Sequence, residues 1–494
     1  MARVLLLNPN RWGRGITPIW IASHTAILKA QGHDVALFDS TFFRGWAQNE
    51  NAFNTTNLQY RPSSYESQIH LDDTPIAEAL QTKLDEFRPD VVFWAALSSH
   101  IHGEGEYAAI QFGHELMSQV HSVAVKVCGG LQPTAAPADT AARFPEIDYF
   151  IGGESEFVLA QLVAALQTAN SLSDIPGLIR RVKAGVAVGP KQPVISDLDT
   201  IGHYDYSLFD EQVLLRPYLG EVVRAVDYEL SRGCPFTCSY CVETVIQRYY
   251  GFNEATPRGA LRGANRFLRH KSATRIFAEM SGLYRDRGVV LFRCQDTNFL
   301  TIQGTTLKEL ADLLEASGLP IRLYIETRPE GINPGSIRLL KRLKVDGVGM
   351  GIELSTQQFR ESKLNRFSDQ TAIERTFRLL REAGIRRTAY NIIGLPDQTE
   401  DSILETIEFN QQLDPDNVTV AFYSPYLGTE QQRLGTEKNY FLDYEFDLDS
   451  QLRTMTHHSI LTAPLLSFYK RHFVRLVRDG IESLAALKQA ENLE

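Results

Sequence analysis

The chain has 494 residues, and its 60 acidic and 50 basic residues leave a formal net charge of −10. This acidic balance argues against a general binder of nucleic acids or membrane surfaces, and no apolar run approaches the ~20 residues that span a bilayer. The length allows roughly two to four globular domains. Met1 leads almost directly into an apolar strand, without room for a signal peptide, so we expect a cytoplasmic protein.

The first part of the chain alternates short apolar runs with helical patterns. Five runs are predicted as strands, at residues 4–7, 34–39, 90–97, 124–128 and 148–151. Helical patterns lie at 18–30, 76–87, 106–120 and 156–167. This alternation predicts an α/β fold with a doubly wound, flavodoxin-like parallel sheet, on which ligands bind beyond the carboxyl ends of the strands. Those ends carry Asn8-Pro9-Asn10, Ser98-Ser99-His100, Gly129-Gly130 and Gly152-Gly153-Glu154.

A long segment at residues 40–73 has no clear pattern and separates the second predicted strand from the next helix. Loops of this length in compact domains are usually functional or disordered. Its aromatic side chains indicate order, either packed over a ligand or as a surface insertion; they are Phe42, Phe43, Trp46, Phe53, Tyr60 and Tyr65.

Three of the five cysteines, Cys234, Cys238 and Cys241, lie within eight residues in the spacing CxxxCxxC. Residues 224–230 before them have a strand pattern, so the cysteines follow a strand's carboxyl end. Three such thiolates can bind one soft-metal centre, and would leave one iron of a [4Fe–4S] cluster open for another ligand. A structural zinc would need a fourth ligand, and no Cys or His occurs in the twenty residues after Cys241. A disulfide is disfavoured without a secretory signal, and a chance grouping of buried cysteines would leave the segment without a metal.

Six strand patterns with helix-like runs between them begin with the strand before the cysteines. The other five lie at residues 289–293, 321–325, 347–352, 388–393 and 418–423. This count predicts a partial (β/α)6 barrel with its active site at the carboxyl ends of the strands. The polar residues at those ends are expected to face one cavity, although each could instead make a structural hydrogen bond at the rim; they are Asp296, Glu326, Arg328, Glu353, Ser355 and Asn391. Cys294 is predicted to be a buried free thiol.

These patterns divide the chain into four parts: a front domain at 1–170, a connector rich in proline and glycine at 171–219, the barrel at 220–434 and a small helical C-terminal region at 435–494. The helical pattern of the last region starts near residue 445 and is amphipathic over 466–487. His457 and His458 are adjacent, and neighbours on a helix diverge by about 100°, which favours surface or packing roles over metal binding.

The cysteine segment, with Tyr240 just before the last cysteine, resembles the signature of radical S-adenosylmethionine (SAM) enzymes. The resemblance implies a [4Fe–4S] cluster bound by Cys234, Cys238 and Cys241, whose open iron chelates the amino and carboxylate groups of SAM. In that family the reduced cluster cleaves SAM to a 5′-deoxyadenosyl radical. An electron donor such as a flavodoxin or ferredoxin is therefore implied as a partner. The cofactors carry out the chemistry, and the protein binds and orients them and excludes water.

Two later strand ends resemble further motifs of the same family. Residues 349–355 (GMGIELS) are similar to its fourth-strand motif, whose acid, here Glu353, is expected near the ribose or methionine end of SAM. Residues 391–396 (NIIGLP) are similar to its fifth-strand turn beside adenine. Arg328 suits the SAM carboxylate, because a guanidinium can bind it bidentately. The SAM contacts expected from this resemblance are Tyr240, Asp296, Arg328, Glu353, Ser355 and Asn391.

Two glycine turns of the front domain, 127–134 (VCGGLQPT) and 153–156 (GESE), resemble the GGxxxT and GE(x)E turns of cobalamin-binding domains fused to radical SAM domains. Glycine lets the backbone approach a bulky cofactor. The resemblance implies cobalamin contacts at Gly129, Gly130, Thr134, Gly153 and Glu154. Where the classical domains have D-x-H-x-x-G, residues 8–13 read NPNRWG, so the histidine that ligates cobalt from below is absent. A nucleotide-binding or ligand-free domain is the alternative.

The resemblance implies a cobalamin-dependent radical SAM enzyme that methylates an unactivated carbon or a phosphinate phosphorus in a small molecule. One alternative uses the same cofactors for a non-methylating oxidation, cyclisation or ring rearrangement. Another, from a different class, is a non-catalytic iron–sulfur carrier or sensor. A basic run after the cysteines predicts an anionic substrate, or else marks a solvated helical face; it comprises Arg248, Arg258, Arg262, Arg266, Arg269 and Lys271.

Overall fold

The structure is a computed structural model that describes residues 1–97, 103–168, 170–183, 185–440, 446–447, 454–455 and 459–493. Ser98, Ser99 and His100, at a predicted strand end, lie outside the described residues, as do His457 and His458. Two seven-stranded sheets organise the rest of the chain.

The first sheet has the strand order β2-β1-β3-β4-β5-β6-β7, in which β1 to β5 are parallel and β6 and β7 are antiparallel. Its strands are β1 (Arg3–Asn8), β2 (Asp34–Asp39), β3 (Val91–Trp94), β4 (Val125–Cys128), β5 (Tyr149–Ile151), β6 (Leu178–Val182) and β7 (Gly185–Val188). Its helices are α1 (Ile19–Ala30), α2 (Glu50–Thr56), α3 (Ile76–Phe87), α4 (Gly103–Ser118), α5 (Leu131–Ala135), α6 (Pro137–Arg143) and α7 (Glu156–Thr168). The predicted doubly wound parallel sheet is confirmed, in the flavodoxin-like order.

The central strand β1 shows why the front half folds in this way. Val4, Leu5, Leu6 and Leu7 are all fully buried. A parallel strand covered by helices on both faces needs apolar side chains on both faces, which gives a continuous apolar run instead of an alternating one.

The second sheet has the order β16-β15-β14-β13-β12-β9-β8, with six parallel strands and β8 antiparallel at the edge. Its strands are β8 (Leu215–Tyr218), β9 (Glu221–Tyr228), β12 (Leu291–Cys294), β13 (Arg322–Glu326), β14 (Val345–Glu353), β15 (Arg386–Ile393) and β16 (Asn417–Phe422). A short antiparallel ribbon joins β10 (Ser231–Arg232) to β11 (Arg269–His270) beside the cysteine loop. The six parallel strands confirm the predicted partial (β/α)6 barrel.

Helices follow the barrel strands and cover their outer side. They are α8 (Glu243–Tyr249), α9 (Ala273–Arg287), α10 (Gly304–Ser317), α11 (Pro334–Arg342), α12 (Gln357–Ser362), α13 (Gln370–Ala383), α14 (Glu400–Leu413), α15 (Glu430–Glu437), α16 (Ala463–Asp479) and α17 (Leu484–Ala490).

The segment at residues 40–73 is ordered, as its aromatic content predicts. Trp46 and Tyr65 are buried, and the Tyr65 hydroxyl accepts a hydrogen bond from the Gly15 backbone at 3.1 Å. The segment also reaches the barrel, because the Gln59 side chain accepts a hydrogen bond from the Val420 backbone on β16 at 3.0 Å. It therefore forms a wall between the two sheets.

The segment 171–219, predicted as a connector, contributes strands to both sheets. β6 and β7 extend the first sheet, and β8 pairs with β9 of the second. A buried ion pair also links this segment to the barrel, because Arg216 on β8 contacts Asp227 on β9 at 2.8 Å. The same Asp227 carboxylate accepts a hydrogen bond from the Thr17 backbone of the front domain at 3.0 Å.

The C-terminal region contains the predicted helices but begins differently. α16 packs on β16 and α14 through buried residues such as Leu466 and Phe473. The expectation of a helix from residue 445 is wrong, because β17 (Phe446–Asp447) and β18 (Thr454–Met455) pair as antiparallel strands. The sequence there reads FDLD, and such alternation is the period of a strand.

Candidate active site

A cavity of about 450 Å³ opens where the carboxyl end of the barrel meets the front domain. All three motif cysteines line it, together with residues from five barrel strands or the loops that follow them. Trp12, Arg14 and Ile16, from the loop after β1, close the opposite side. The two domains thus share one chamber.

The cysteine loop takes its shape from its own backbone and from contacts with its neighbours. Gly233 has φ +93°, and a Cβ there would lie 2.5 Å from the Phe267 carbonyl oxygen, so only glycine fits. The Gln247 side chain on α8 donates hydrogen bonds of 2.9 Å to the carbonyl oxygens of Cys234 and Phe236. These contacts fix the loop independently of any bound group.

The motif thiols are free, and Cys234 and Cys238 are buried while Cys241 is half-buried. Burial raises the pKa of Cys234 and of Cys241 well above the ordinary thiol range, and neighbouring acidic groups raise both further. Positive iron would offset this cost by binding the thiolates. Within the described residues, no three His, Cys, Asp or Glu side chains are placed to hold a single metal ion. Three separate thiols around one cavity suit a multi-iron cluster.

A polar wall stands next to the cysteines, at the end of β14. The Tyr240 hydroxyl donates to the Glu353 carboxylate at 2.9 Å, and Arg366 lies 3.6 Å from that carboxylate. Glu353 has φ +66°, an uncommon conformation for a side chain of its size. A Cβ at Gly351 would lie 2.2 Å from the Glu353 carboxylate, so glycine makes the room that this carboxylate uses.

Arg328 lies between the cysteine loop and the rim. Its guanidinium contacts the Cys238 sulfur at 3.7 Å, lies 3.9 Å from the Phe236 ring centre and pairs with Glu330 at 3.0 Å. Arg328 is therefore held beside the thiols by three different kinds of contact.

Four of the polar residues expected in the cavity do line it, namely Glu326, Arg328, Glu353 and Asn391. Asn391 exchanges amide hydrogen bonds with Asn410, at 2.8 and 3.2 Å. Its side chain is therefore already engaged within the protein.

Asp296 and Ser355 do not line this cavity, contrary to expectation. The Asp296 carboxylate is fully buried and accepts hydrogen bonds from the Leu230 and Ser231 backbones at 3.0 and 2.6 Å. It therefore holds the chain just before the cysteines. The Ser355 backbone donates to Thr406 on α14 at 3.0 Å, which ties the end of β14 to the outer helix layer. Cys294 is buried, as predicted, and its thiol lies 3.8 Å from the Phe292 carbonyl oxygen.

The two glycine turns of the front domain are joined to each other. The Thr134 hydroxyl donates to the Gly130 carbonyl at 2.6 Å and accepts from the Gly153 backbone at 2.9 Å. Gly130 has φ +98°, and a Cβ at Gly129 would lie 2.9 Å from the Ala95 carbonyl oxygen. These residues share the carboxyl edge of the sheet with Trp12, although they do not themselves line the cavity. Whether they bind a cofactor stays a prediction.

Asn10 stands where the classical cobalamin domains have histidine. Its amide donates to the Thr41 hydroxyl at 2.8 Å and to the Arg14 carbonyl at 3.1 Å, and accepts from the Trp12 backbone at 3.0 Å. The side chain is therefore used to shape its own loop.

Glu154 belongs to a buried ion network between the domains, which the sequence did not reveal. Its carboxylate lies 2.8 Å from Arg269 and 3.3 Å from Arg232, and Arg232 also contacts Glu156 at 2.6 Å. Although burial alone would raise it, the pKa of Glu156 is held at about 2 by Arg232. Since Arg232 comes two residues before Cys234, this network ties the front domain to the start of the cysteine loop. Two features of the sequence could have indicated this network: the acidic pair Glu154 and Glu156, and the arginine in the segment SRGC at residues 231–234.

The basic run after the cysteines is not a helical face. Arg269 is buried against Glu154, and Lys271 is buried against Glu279 at 3.0 Å. Arg258 and Arg262 are exposed on a loop, and none of these four residues lines the cavity. The run therefore gives no support to an anion site.

Comparisons with known proteins agree with this architecture. Residues 228–409 match the family described as the Radical SAM superfamily. The anaerobic magnesium-protoporphyrin IX monomethyl ester cyclase of Cereibacter sphaeroides is 28% identical over 357 residues, which cover 71% of this chain and 53% of that protein. An uncharacterised methyltransferase of Pyrococcus horikoshii is 25% identical, over 81% of this chain and 82% of the other. The chain thus spans about half the length of the cyclase.

Among solved structures, the fold resembles that of TsrM from Kitasatospora setae, a radical S-adenosylmethionine methyltransferase with cobalamin and a [4Fe–4S] cluster bound. The TM-score is 0.62 at 18% identity, covering 89% of this chain and 76% of TsrM. A helix able to cross a bilayer does not occur among the described residues.

Proposed function

We propose that this chain, which belongs to the radical SAM superfamily, is a methyltransferase. It has the two-domain architecture of the cobalamin-dependent members of that superfamily. Its acceptor would be an unactivated carbon or a phosphinate phosphorus in a small molecule. One observation carries the proposal: the three cysteines and the loop after β1 of the front domain line the same cavity. A radical made at one wall and a methyl group held at the other would then meet one substrate.

Cys234, Cys238 and Cys241 would bind the cluster, and Arg328 and Glu353 stand beside them for SAM. When bound, the cluster with SAM supplies a 5′-deoxyadenosyl radical, and cobalamin supplies the methyl group. The loop after β1 and the turns at Gly130 and Gly153 would hold cobalamin. Because the Asn10 amide is already bonded within its loop, we propose that this turn supplies no lower cobalt ligand.

The chain's own residues position and protect the reactants. The Tyr240–Glu353–Arg366 group presents fixed hydrogen-bonding atoms beside the cysteines, so polar parts of SAM can bind without rearrangement. Trp12, Phe236 and Phe422 add aromatic surface to the cavity wall. Aromatic walls exclude water, which protects a reactive intermediate from side reactions.

A non-methylating cyclisation or oxidation is the second candidate, because one matching relative is a magnesium-protoporphyrin ester cyclase. The two candidate reactions would use the same cofactors. They differ in whether a methyl group is transferred to the substrate. An iron–sulfur carrier or sensor fits less well, because a cavity of about 450 Å³ beside the cysteines gives space that a carrier does not use.

Product counting separates these candidates. The protein is reconstituted with iron and sulfide without oxygen, loaded with cobalamin, and incubated with SAM, a reductant and candidate substrates. Comparable amounts of 5′-deoxyadenosine and S-adenosylhomocysteine support methylation. Deoxyadenosine without S-adenosylhomocysteine would instead support the cyclase-type reaction. The absence of both products would refute the proposal that the protein is a radical SAM enzyme.

We also propose that the chain works in the cytoplasm with a flavodoxin or ferredoxin as its reductant. The free thiols at the cavity suit a reducing compartment. Exchanging purified flavodoxin for a chemical reductant in the same assay tests the partner: sustained turnover supports it, and loss of turnover contradicts it.

A further inference from the structure

Four arginines line the cavity, and three of them are paired with carboxylates. Arg14 contacts Glu50 at 3.0 Å, Arg328 contacts Glu330 at 3.0 Å, and Arg366 lies 3.6 Å from Glu353; Arg293 on β12 is the fourth. Among the residues that the structure describes, Arg293 makes no hydrogen bond or ion pair. Its guanidinium carbon lies 5.8 Å from the centre of the Tyr324 ring, which is a cation–π contact.

The surroundings of Arg293 form a defined floor to the cavity. The Tyr324 and Tyr390 hydroxyls are 2.8 Å apart, and the Tyr390 hydroxyl donates to the Glu326 carboxylate at 3.1 Å. A Cβ at Gly349 would lie 2.5 Å from the Tyr390 hydroxyl. Because glycine has no side chain, this position on β14 leaves space for the Tyr390 hydroxyl. The floor of the cavity is therefore a preorganised arrangement of side chains.

Two acidic groups, Glu326 and Asp227, attract Arg293 from longer range, but among the described residues neither lies within ion-pair distance of it. Glu326 and Arg293 both line the cavity, and the Glu326 carboxylate accepts its hydrogen bond from Tyr390. A half-buried guanidinium without an ion-pair partner is costly, and an anionic ligand that pairs with it would reduce that cost. Planar guanidinium matches the two oxygens of a carboxylate or phosphate.

We propose that Arg293 is a substrate-specificity residue that binds a carboxylate or phosphate group of the substrate at the floor of the barrel. The inference rests on the proposed function, which places the substrate in this cavity. The residue that we propose for the carboxylate of SAM is a different one, Arg328, which contacts the cysteine loop at Cys238. Arg293 would thus fill the anion-binding role that the sequence predicted for the basic run after the cysteines.

The test measures binding of small probes to the reconstituted protein by calorimetry. Benzoate and phenyl phosphate carry the two anions, and benzyl alcohol is the matched neutral probe. We expect the wild type to bind one of the anions at least tenfold more tightly than benzyl alcohol, and the preferred anion distinguishes a carboxylate from a phosphate. Arg293→Gln should remove the preference, Arg293→Lys should keep part of it, and Arg342→Gln on the exposed surface should keep all of it.

Equal binding of charged and neutral probes by the wild type would overturn the proposal, and so would an anion preference that survives in Arg293→Gln. Weaker SAM binding by Arg293→Gln would also overturn it, because Arg293 would then belong to the SAM site. Cluster absorption and SAM affinity equal to wild type show that this variant is folded. A wild type that prefers anions but makes no deoxyadenosine with any candidate substrate would refute the proposed function and leave the anion site standing.

Discussion

The five cysteines differ in where their side chains lie. Cys234, Cys238 and Cys241 line the cavity, whereas Cys128 and Cys294 are buried in strands and do not line it. A buried thiol that does not line the cavity cannot reach a cluster bound there. The position of each side chain therefore distinguishes the three proposed cluster ligands from the two cysteines that only pack.

We expect replacement of Cys234, Cys238 or Cys241 by Ala to remove both the ~400 nm iron–sulfur absorption and SAM cleavage, because each thiolate holds one iron and the open iron binds SAM. The matched control is Cys294→Ala, which should keep both signals. A Cys294 variant without the cluster beside a Cys238 variant that retains it would show that the ligand set is wrong.

Glu326 gives a pH-dependent prediction. Burial raises its pKa to about 7, against the opposing attraction of Arg293. Because this value lies above that of the unfolded chain, the folded state keeps a proton that the unfolded state loses, and the stabilisation disappears as pH rises through about 7. Between pH 5 and 8 the wild type should therefore lose about 1–3 kcal/mol of unfolding free energy relative to Glu326→Gln. Parallel pH profiles from chemical unfolding would exclude the raised pKa.

The cysteines, Arg328 and Glu353 were predictable because each belongs to a local motif or ends a recognisable strand. Arg14, Arg293 and Arg366 were not. Each reaches the cavity through the register of a strand or the path of a loop, and such long-range geometry leaves no local pattern in the sequence. Asp296 ends a strand, but its side chain turns back to the Ser231 backbone.

At the scale of elements, the ribbon of β10 and β11 carries the charges that join the two domains. Arg232 and Arg269 stand opposite each other in it, and both bind Glu154 of the turn after β5. A buried cation with several carboxylates around it is costly to remove, because the acids stay buried without their partner.

Replacing Arg232 with Met should therefore lower the unfolding free energy by roughly 3–5 kcal/mol, because Glu156 and Glu229 lose their cation while Glu154, its third acid, keeps Arg269. The control is Arg342→Met, which should change the stability far less, because the pair that Arg342 makes with Glu315 is exposed to solvent. Chemical unfolding of the apo protein measures both. Equal stability of the two variants would mean that the network does not hold the domains together.

The turn after β4 gives the cobalamin prediction. Gly130 has φ +98°, which a side chain rarely adopts. Gly130→Leu should distort this turn and reduce bound cobalt from about one per chain to a small fraction, while the cluster, which lies in the other domain, keeps its absorption. Metal analysis of protein from a cobalamin-replete host measures both. Gly282→Leu, in a helix with open space around it, is the control. Full cobalt content in Gly130→Leu would show that this turn does not hold the cofactor.

The parallel strands of both sheets were predictable, because a strand buried on both faces is a short apolar run between turns. In the connector, residues 178–182 have a strand-like pattern and form β6, whereas β7 and β8 were not predicted. Both are edge strands with few buried positions, Val188 on β7 being exposed, so their pattern is weak and pairing with a neighbour makes them strands.

In the molecule as a whole, the two sheets meet at their carboxyl edges, and one apolar core cluster contains residues of both. The segment at 40–73 and the Asp227–Thr17 contact fix that meeting. The result is one chamber with the cysteines on one side and the loop after β1 on the other. Sequence motifs indicated both halves, but the shared wall depends on the packing of one domain on the other.

The most direct measurement of this account is a crystal structure of the reconstituted protein with cobalamin and SAM, in which anomalous scattering locates iron and cobalt separately. We predict iron at Cys234, Cys238 and Cys241 and one cobalt bordering the same cavity, on the side of Trp12 and Ile16. A cobalt site outside this cavity, or crystals of loaded protein that contain iron but no cobalt, would contradict it.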